Sequence, residues 1–311
     1  MRWIGAVVLA ALLLSLPFLV GDFYINLASQ ILIAAIFALS LNLLVGYGGM
    51  TSLGHASYLG VAAYISALLT SRYGLGHGPA ALLSIAGTTA TAACFGIIAL
   101  RATGLGFLMI TLALSQVLWG LAYRMSGVTN GDNGIAGLTR PMPFGVSLES
   151  AASFYWFALI AASLAFLMMT IFVSSAFGSS LQGVRDQPRR MAALGFDPWM
   201  IRWITFIYAG FWGGVSGLLY VYYNKYIHPT SLSTTSSADA LLGVIAGGSG
   251  TLGGPVVGAA LVLLLKNYAS AYVERWNMLL GLVFLFIVLV MPTGIVPGFG
   301  KLLAAMRGGS R

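Results

Sequence analysis

The sequence predicts an all-α, polytopic integral membrane protein of about ten transmembrane helices with Gly-rich breaks, and three observations support this fold class. Hydrophobic residues make up 59% of the 311 residues and charged residues only 7%, whereas soluble domains carry about 25% charged residues. Apolar runs of about 20 residues, enough to cross a bilayer as a helix, recur along the chain. The 40 glycines suit close helix packing in lipid. We expect one transmembrane domain over residues 1–311.

Most of the apolar runs predict one crossing each. They cover residues 3–20, 24–45, 55–71, 79–100, 104–123, 152–173, 199–223 and 277–296. The stretch 237–270 is too long for one crossing and contains a Gly-rich string, so we expect two short segments there. The first run is predicted to be a helix and not a cleaved signal peptide, because no small-x-small cleavage site follows Val20.

The most polar part of the chain is residues 174–198, which we call the 174–198 loop. Its charged residues include Arg185, Asp186, Arg189 and Arg190. Because Arg and Lys collect on the cytoplasmic side of membrane proteins, we expect this loop and both termini to face the cytoplasm. Residues 125–151, rich in Gly, Asn and Pro, then face outward.

Two Gly-rich strings interrupt the apolar runs, at residues 46–55 and 247–254, and both contain a hydroxyl-Leu-Gly core. Broken helices at membrane depth line cavities or are buried in protein, and in transporters they often mark the substrate path. The alternative is that nearby polar groups only bond across helices. The residues predicted to border a path are Asn42, Ser52, Gly54, His55, Gln116, Gly248 and Gly253.

Several kinds of chemistry are disfavoured by the sequence. Gly248-x-Gly250-x-x-Gly253 lacks the βαβ context of a dinucleotide site, and there is no P-loop. The single Cys94, predicted to be buried, offers no Cys/His metal pattern. The net charge of +8 is scattered at span ends, which indicates topology and lipid contact rather than nucleic-acid binding. We therefore expect no catalytic residue, metal or cofactor, and any ATP is used by partner subunits.

The candidates for ionisable groups that could serve an ion pathway inside the membrane are His55 and Asp239, each near a span end. Asp239 follows a Ser/Thr-rich segment, and its carboxylate is predicted to cap free N–H groups at a helix start. His55 is predicted either to pack at a helix start or to line a pathway. A proton-driven carrier would need more such groups.

Taken in order, the motifs resemble those of the permease subunits of branched-chain amino-acid ABC importers of the LivM type. Residues 41–56 resemble the segment after the second helix of the family, 101–116 its next motif and 129–135 its external loop. Phe177-Gly178, Arg185-Asp186 and Ala193-Leu194-Gly195 resemble the cytoplasmic coupling segment, and 244–259 the late Gly-rich motif. Met50 and the stretch 188–191 depart from the family pattern, which bears on the substrate and on the fit to the ATPase.

The resemblance implies a permease in the bacterial inner membrane that translocates branched-chain or other hydrophobic amino acids. Its expected partners are a second homologous permease subunit, two cytoplasmic ATPases docked on the 174–198 loops, and a periplasmic substrate-binding protein. The residues expected to contact the ATPase are Arg185, Asp186, Arg189, Arg190, Ala193, Leu194 and Gly195.

Residues 185–195 are predicted to form one short helix that ends at a left-handed Gly195. Asp197 and Pro198 are predicted to cap the next membrane helix.

Other functions stay open at this point. The same architecture would suit an importer of urea, short amides or aromatic acids. A protein of another class, an ion-coupled secondary carrier, is the main rival. An intramembrane enzyme is disfavoured, because no nucleophile–base pair or metal-ligand pair falls within the spans.

Overall fold

The computed structural model describes residues 13–272 and 276–299, and this part of the chain is almost entirely helical. The helices are α1 (residues 13–19), α2 (Asp22–Asn42), α3 (Ala56–Ser71), α4 (His77–Ala99), α5 (Leu105–Arg124), α6 (Ser126–Thr129), α7 (Ala151–Ser174), α8 (Ala176–Asp186), α9 (Pro188–Ala193), α10 (Pro198–Asn224), α11 (Thr234–Gly247), α12 (Gly253–Tyr272) and α13 (Trp276–Val290). A π-helical segment, Leu43–Tyr47, extends α2.

Five helices among the described residues are long and apolar enough to cross a membrane: Asp22–Tyr47, His77–Ala99, Leu105–Arg124, Ala151–Ser174 and Pro198–Asn224. Each lies within about two residues of a predicted span, since the apolar run sets its length. The predicted division of 237–270 is also confirmed, because α11 ends at Gly247 and α12 starts at Gly253. Residues 1–12 of the first span lie outside the described residues, and the total of ten crossings stays a prediction.

Helix α10 lies at the centre of the bundle, against α2, α3 and α4. Its glycines allow this packing. A Cβ at Gly210 would overlap the Ala92 side chain, and one at Gly217 would overlap the Leu59 carbonyl. Gly213 and Gly214 likewise lie close to Tyr58 and Thr88. The pairs Gly210/Gly214 and Gly213/Gly217, each spaced four apart, therefore act in helix packing, as expected in lipid, where small residues let backbones approach.

Two ends of the bundle can be distinguished by the loops they carry. We call the end with residues 174–198 the inner end and the end with residues 125–151 the outer end; α7, 24 residues long, connects them. At the outer end, β1 (Ile135–Ala136) pairs antiparallel with β2 (Tyr226–Ile227). This pairing joins the 125–151 loop to the segment between α10 and α11.

Helices α11 and α12 form an antiparallel hairpin with its tip toward the inner end. Gly247 contacts Gly254 and Gly243 contacts Gly258, backbone against backbone. Such close approach requires glycine on both helices. The hairpin rests against α2, which contacts both of its helices.

Two sequence predictions are wrong. Cys94 is exposed on the surface of α4, because that helix presents much of its apolar surface outward. Asp239 does not cap a helix, since α11 begins five residues earlier and Ser233 is its N-cap, accepting a hydrogen bond from the Ser236 N–H. Asp239 therefore lies within α11, where its carboxylate must find another partner.

Candidate translocation and coupling sites

The 174–198 loop forms two helices rather than the single helix predicted over 185–195. Helix α8 is amphipathic and buries Leu181 and Val184 against the bundle. Gln187 interrupts the helix, and Pro188 then begins α9 as its first residue, a position where proline loses no hydrogen bond. Arg185 and Asp186 thus end α8, while Arg189 and Arg190 belong to α9.

Helix α9 projects from the inner end, and none of its residues is buried. Ala193 and Arg189 are exposed, and Leu194 and Phe196 just after the helix are 66% and 46% exposed. Gly195 has φ +89°, which confirms the predicted left-handed conformation. This projecting apolar tip, flanked by two arginines, has the composition of a surface that another protein covers.

The helix that follows the loop starts as the sequence predicts. The Asp197 carboxylate accepts hydrogen bonds from the N–H groups of Trp199 and Met200, at 2.9 and 3.2 Å. Pro198 is the first residue of α10. The rigid start of α10 therefore fixes where the exposed tip lies relative to the bundle.

Arg185 points back into the bundle rather than outward. Its Nη1 donates a hydrogen bond to the carbonyl oxygen of Gly46 at 2.6 Å, and its Nε donates to Asp186 at 2.8 Å. Its aliphatic stem lies over Gly49, whose φ is +65°. The arginine thus connects the 174–198 loop directly to the first Gly-rich break.

The two Gly-rich breaks meet at the inner half of the bundle, and we call this contact the break junction. Asn42 joins them: its Nδ2 donates to the Thr251 carbonyl at 2.9 Å, and its Oδ1 accepts from the Gly250 N–H at 3.0 Å. A side chain at Gly46 would overlap the Gly250 backbone. Gly248, with φ +118°, turns the chain at the tip of the α11–α12 hairpin.

His55 lies in the core beside the first break and is fully buried. Its Nε2 shares a hydrogen bond with the Ser40 hydroxyl at 2.7 Å, and its ring contacts the rings of Phe37 and Tyr58. The Ser52 hydroxyl accepts from the Gly54 N–H at 3.3 Å. These contacts pack His55 at the start of α3, while its buried Nδ1 has no hydrogen-bond partner among the described residues.

The remaining predicted path residues lie apart from the junction. Gln116 is exposed and donates a hydrogen bond to the Thr234 hydroxyl near the outer end. Gly253 is exposed at the first position of α12, with no atom near its missing Cβ. The structure therefore brings together Asn42, Gly46, Gly248 and Gly250. In the described part of the chain, Gln116 lies away from them, and Gly253, although part of the second break, makes no close contact there.

A cavity of about 450 Å³ opens in the outer half of the bundle between α2, α10, α11 and α12. It is lined by apolar residues such as Phe37 and by the ionisable residues Asp239 and Lys266. Phe37 separates this cavity from His55. We call it the outer cavity.

Sequence reasoning missed that Asp239 and Lys266 line the same cavity. A usable signal was present: both residues lie on segments that flank the late Gly-rich string, Asp239 before it and Lys266 after it. A hairpin folded at that string brings the two positions to within about one helical turn of each other. What the sequence reasoning did not predict was that α11 and α12 pack antiparallel against each other.

The family described as the branched-chain amino acid transport system permease component matches residues 23–289. The chain belongs to this family. It is therefore a multi-pass membrane permease and a transport protein rather than an enzyme.

Curated relatives agree with this assignment. The permease is 26% identical to the high-affinity branched-chain amino acid transport system permease protein LivM of Escherichia coli (strain K12), over 94% of this chain and 74% of the relative. It is 24% identical to the LivM protein of Salmonella typhimurium (strain LT2), over 90% of this chain and 72% of the relative. The E. coli permease protein LivH is 24% identical over 49% of each chain. No solved structure matches this permease.

Proposed function

We propose that this permease is one of two membrane-spanning subunits of an ATP-binding cassette importer of branched-chain or other hydrophobic amino acids in the bacterial inner membrane. The family match over residues 23–289 carries the proposal. The similarity to both LivM and LivH proteins supports a pore built from two homologous permeases. A periplasmic binding protein would deliver the substrate at the outer end.

The exposed tip at Leu194–Phe196, together with Arg189 and Arg190, is the proposed docking surface for the cytoplasmic ATPase. Its support is geometric, because this is the part of the 174–198 loop that leaves the bundle. Arg185 is proposed to transmit movement from the 174–198 loop to the bundle rather than to bind the ATPase. It links the same loop to the break junction, so a movement of α8 would act on the Gly46 carbonyl.

Reconstitution tests this function. The permease is co-purified with its sister permease and ATPase and placed in proteoliposomes with binding protein outside and ATP inside. We expect leucine uptake that requires ATP and loaded binding protein. Uptake driven by a proton or Na⁺ gradient without ATP would instead identify a secondary carrier. ATP-dependent uptake of urea, an amide or an aromatic acid, without leucine uptake, would correct the substrate class.

A further inference from the structure

The outer cavity is polar at one end and apolar at the other, and this order begins on α2. Residues Gln30, Ile33, Ala34, Phe37 and Ala38 line the cavity and recur at the three- and four-residue spacing of one helix face. Because α2 starts at the outer end, Gln30 lies nearest the mouth. The four residues deeper along this face are apolar.

Helix α11 repeats the same order. Its lining residues are Ser236, Asp239, Ala240 and Gly243, again one helix face. The hydroxyl and the carboxylate lie toward the outer start of the helix, and the two small residues lie deeper. Gly243 is buried against Gly258, which closes the cavity toward the break junction.

Helix α12 runs back toward the outer end, so its apolar lining residues come first in the sequence and its polar lining residues follow. Ala259, Val262 and Leu263 lie deep in the cavity, and Lys266, Asn267 and Ser270 lie toward the mouth. On each of these three helices the polar lining lies nearer the outer end than the apolar lining. The contacts of Gly247 with Gly254 and of Gly243 with Gly258 place Asp239 level with Val262, about one helical turn deeper than Lys266. Chance burial of one charged residue would not produce this arrangement.

This distribution of charge and apolar surface matches one chemical class of ligand. An aliphatic α-amino acid carries an ammonium and a carboxylate together at one end and an apolar side chain at the other. We propose that the outer cavity binds such a zwitterion, with Asp239 receiving the ammonium, Lys266 the carboxylate, and the surface around Ile33, Phe37 and Val262 the side chain. The inference rests on the proposed function and names where that substrate first binds within the permease.

Removing either charge from the ligand tests the chemistry of recognition. A ligand that keeps the carboxylate but lacks the ammonium brings a negative charge close to Asp239 with no positive charge between them. A ligand that keeps the ammonium but has an amide in place of the carboxylate brings a positive charge close to Lys266 with no negative charge between them. A binding site that loses one partner of a charged pair loses affinity steeply, because the other charge stays desolvated. A neutral amide such as urea gains nothing from the apolar depth of the cavity.

The first experiment measures leucine uptake by the reconstituted importer. Asp239→Asn and Lys266→Gln keep side-chain size and remove one charge each. We expect uptake to fall by about tenfold or more, as when a charge-assisted hydrogen bond is lost. Stimulation of ATP hydrolysis by loaded binding protein should persist. Matched controls are Glu149→Gln and Lys225→Gln, an ion pair at the same end but outside the cavity, which should leave uptake unchanged.

The second experiment measures occupancy directly and does not require transport. Ser270→Cys, in a Cys94→Ala background, places a thiol at the cavity mouth of the assembled importer without binding protein. Millimolar leucine should slow its reaction with a thiol reagent, whereas 4-methylpentanoate and leucinamide, each lacking one charge, should not. Ser147→Cys on the outer loop should react at the same rate with or without leucine.

The outcomes separate this proposal from the proposed function. If the intact importer takes up leucine while Asp239→Asn and Lys266→Gln do so normally, only the site is wrong. If these variants fail to assemble, the reaction rate of Ser270→Cys with the thiol reagent decides whether the cavity binds leucine. Equal rates with and without leucine would show that it does not. An intact importer that transports no amino acid contradicts the proposed function instead.

Discussion

The two Gly-rich breaks share a hydroxyl-Leu-Gly core, yet they fold differently. In the first, Ser52-Leu53-Gly54 lies in an irregular segment before α3, where the Gly54 backbone packs closely against the Thr111 carbonyl of α5. In the second, the Thr251 hydroxyl accepts a hydrogen bond from the Gly254 N–H at 3.1 Å and so opens α12. The tight backbone contacts then fall on Gly247, Gly254 and Gly258 rather than on Gly253. Similar strings thus place their essential glycines at different positions.

The sharpest test of this difference is the pair Gly54→Ala and Gly253→Ala. At Gly54 the added methyl would overlap the Thr111 carbonyl, so we expect a loss of about 1–3 kcal/mol, typical of overpacking, and less folded protein. At Gly253 the methyl meets no atom, and alanine favours helix by roughly 0.5–1 kcal/mol. Thermal unfolding in detergent, followed by size-exclusion chromatography, measures both. Equal destabilisation by the two substitutions would show that the glycines of the two hydroxyl-Leu-Gly segments are packed alike.

The same difference predicts separate outcomes for leucine at the two positions. The structure makes Gly54 a packing position and leaves Gly253 room. Loss of protein is therefore expected for Gly54→Leu, and retained uptake for Gly253→Leu.

Asn42→Leu separates the two breaks without adding bulk to either. The substitution removes the hydrogen bonds to Gly250 and Thr251 and leaves a partly buried N–H and a partly buried carbonyl unpaired, at up to about 1–3 kcal/mol for such a group. We expect a lower unfolding temperature and reduced uptake. Ser40→Ala, which removes a buried hydroxyl bonded to His55, serves as a control outside the junction. Normal uptake by Asn42→Leu would mean that the breaks need not be joined during transport.

Arg185→Gln breaks the contact between the 174–198 loop and the first break. A hydrogen bond to a charged group contributes about 1.5–3 kcal/mol, and its loss should weaken the stimulation of ATP hydrolysis by loaded binding protein while the ATPase still binds. Arg189→Gln, on exposed α9, is the matched control; it should weaken ATPase binding and leave stimulation of the bound ATPase intact. If both variants behave alike, Arg185 acts only at the docking surface.

Helix positions could be predicted from the sequence because apolar runs of membrane length fix them. Gly195 and Asp197 were also predictable, since a left-handed glycine and an Asp-Pro cap depend on local backbone chemistry. The division of the 174–198 loop was missed because α8 is held by contacts of Leu181 and Val184 with distant helices. The contact of Arg185 with the first break depends on a segment far away in the sequence, and no local pattern specifies it. Asp239 and Lys266 could be placed together only once the antiparallel packing of α11 on α12 was known.

The mildest perturbation of the coupling surface is Gly195→Val. No neighbouring atom would obstruct the side chain, so its cost comes from the left-handed backbone, about 1–2 kcal/mol. We expect an assembled complex with weakened stimulation of ATP hydrolysis. Gly195→Asn should behave like the parent, because asparagine tolerates this conformation. If Gly195→Val and the double variant Arg189→Glu, Arg190→Glu keep normal uptake, the tip is only a solvated loop.

Membrane sidedness can be measured with the least disturbance of all. Ser179 on α8 and Ser147 on the outer loop are both exposed, so a cysteine at either position should leave folding and uptake unchanged. Cys94 is replaced by alanine first, because it is exposed as well. In intact cells or right-side-out vesicles, an impermeant thiol reagent should label Ser147→Cys and reach Ser179→Cys only after permeabilisation. Labelling of both from the same side would contradict the orientation in which the outer cavity faces the delivered substrate and α9 faces the ATPase.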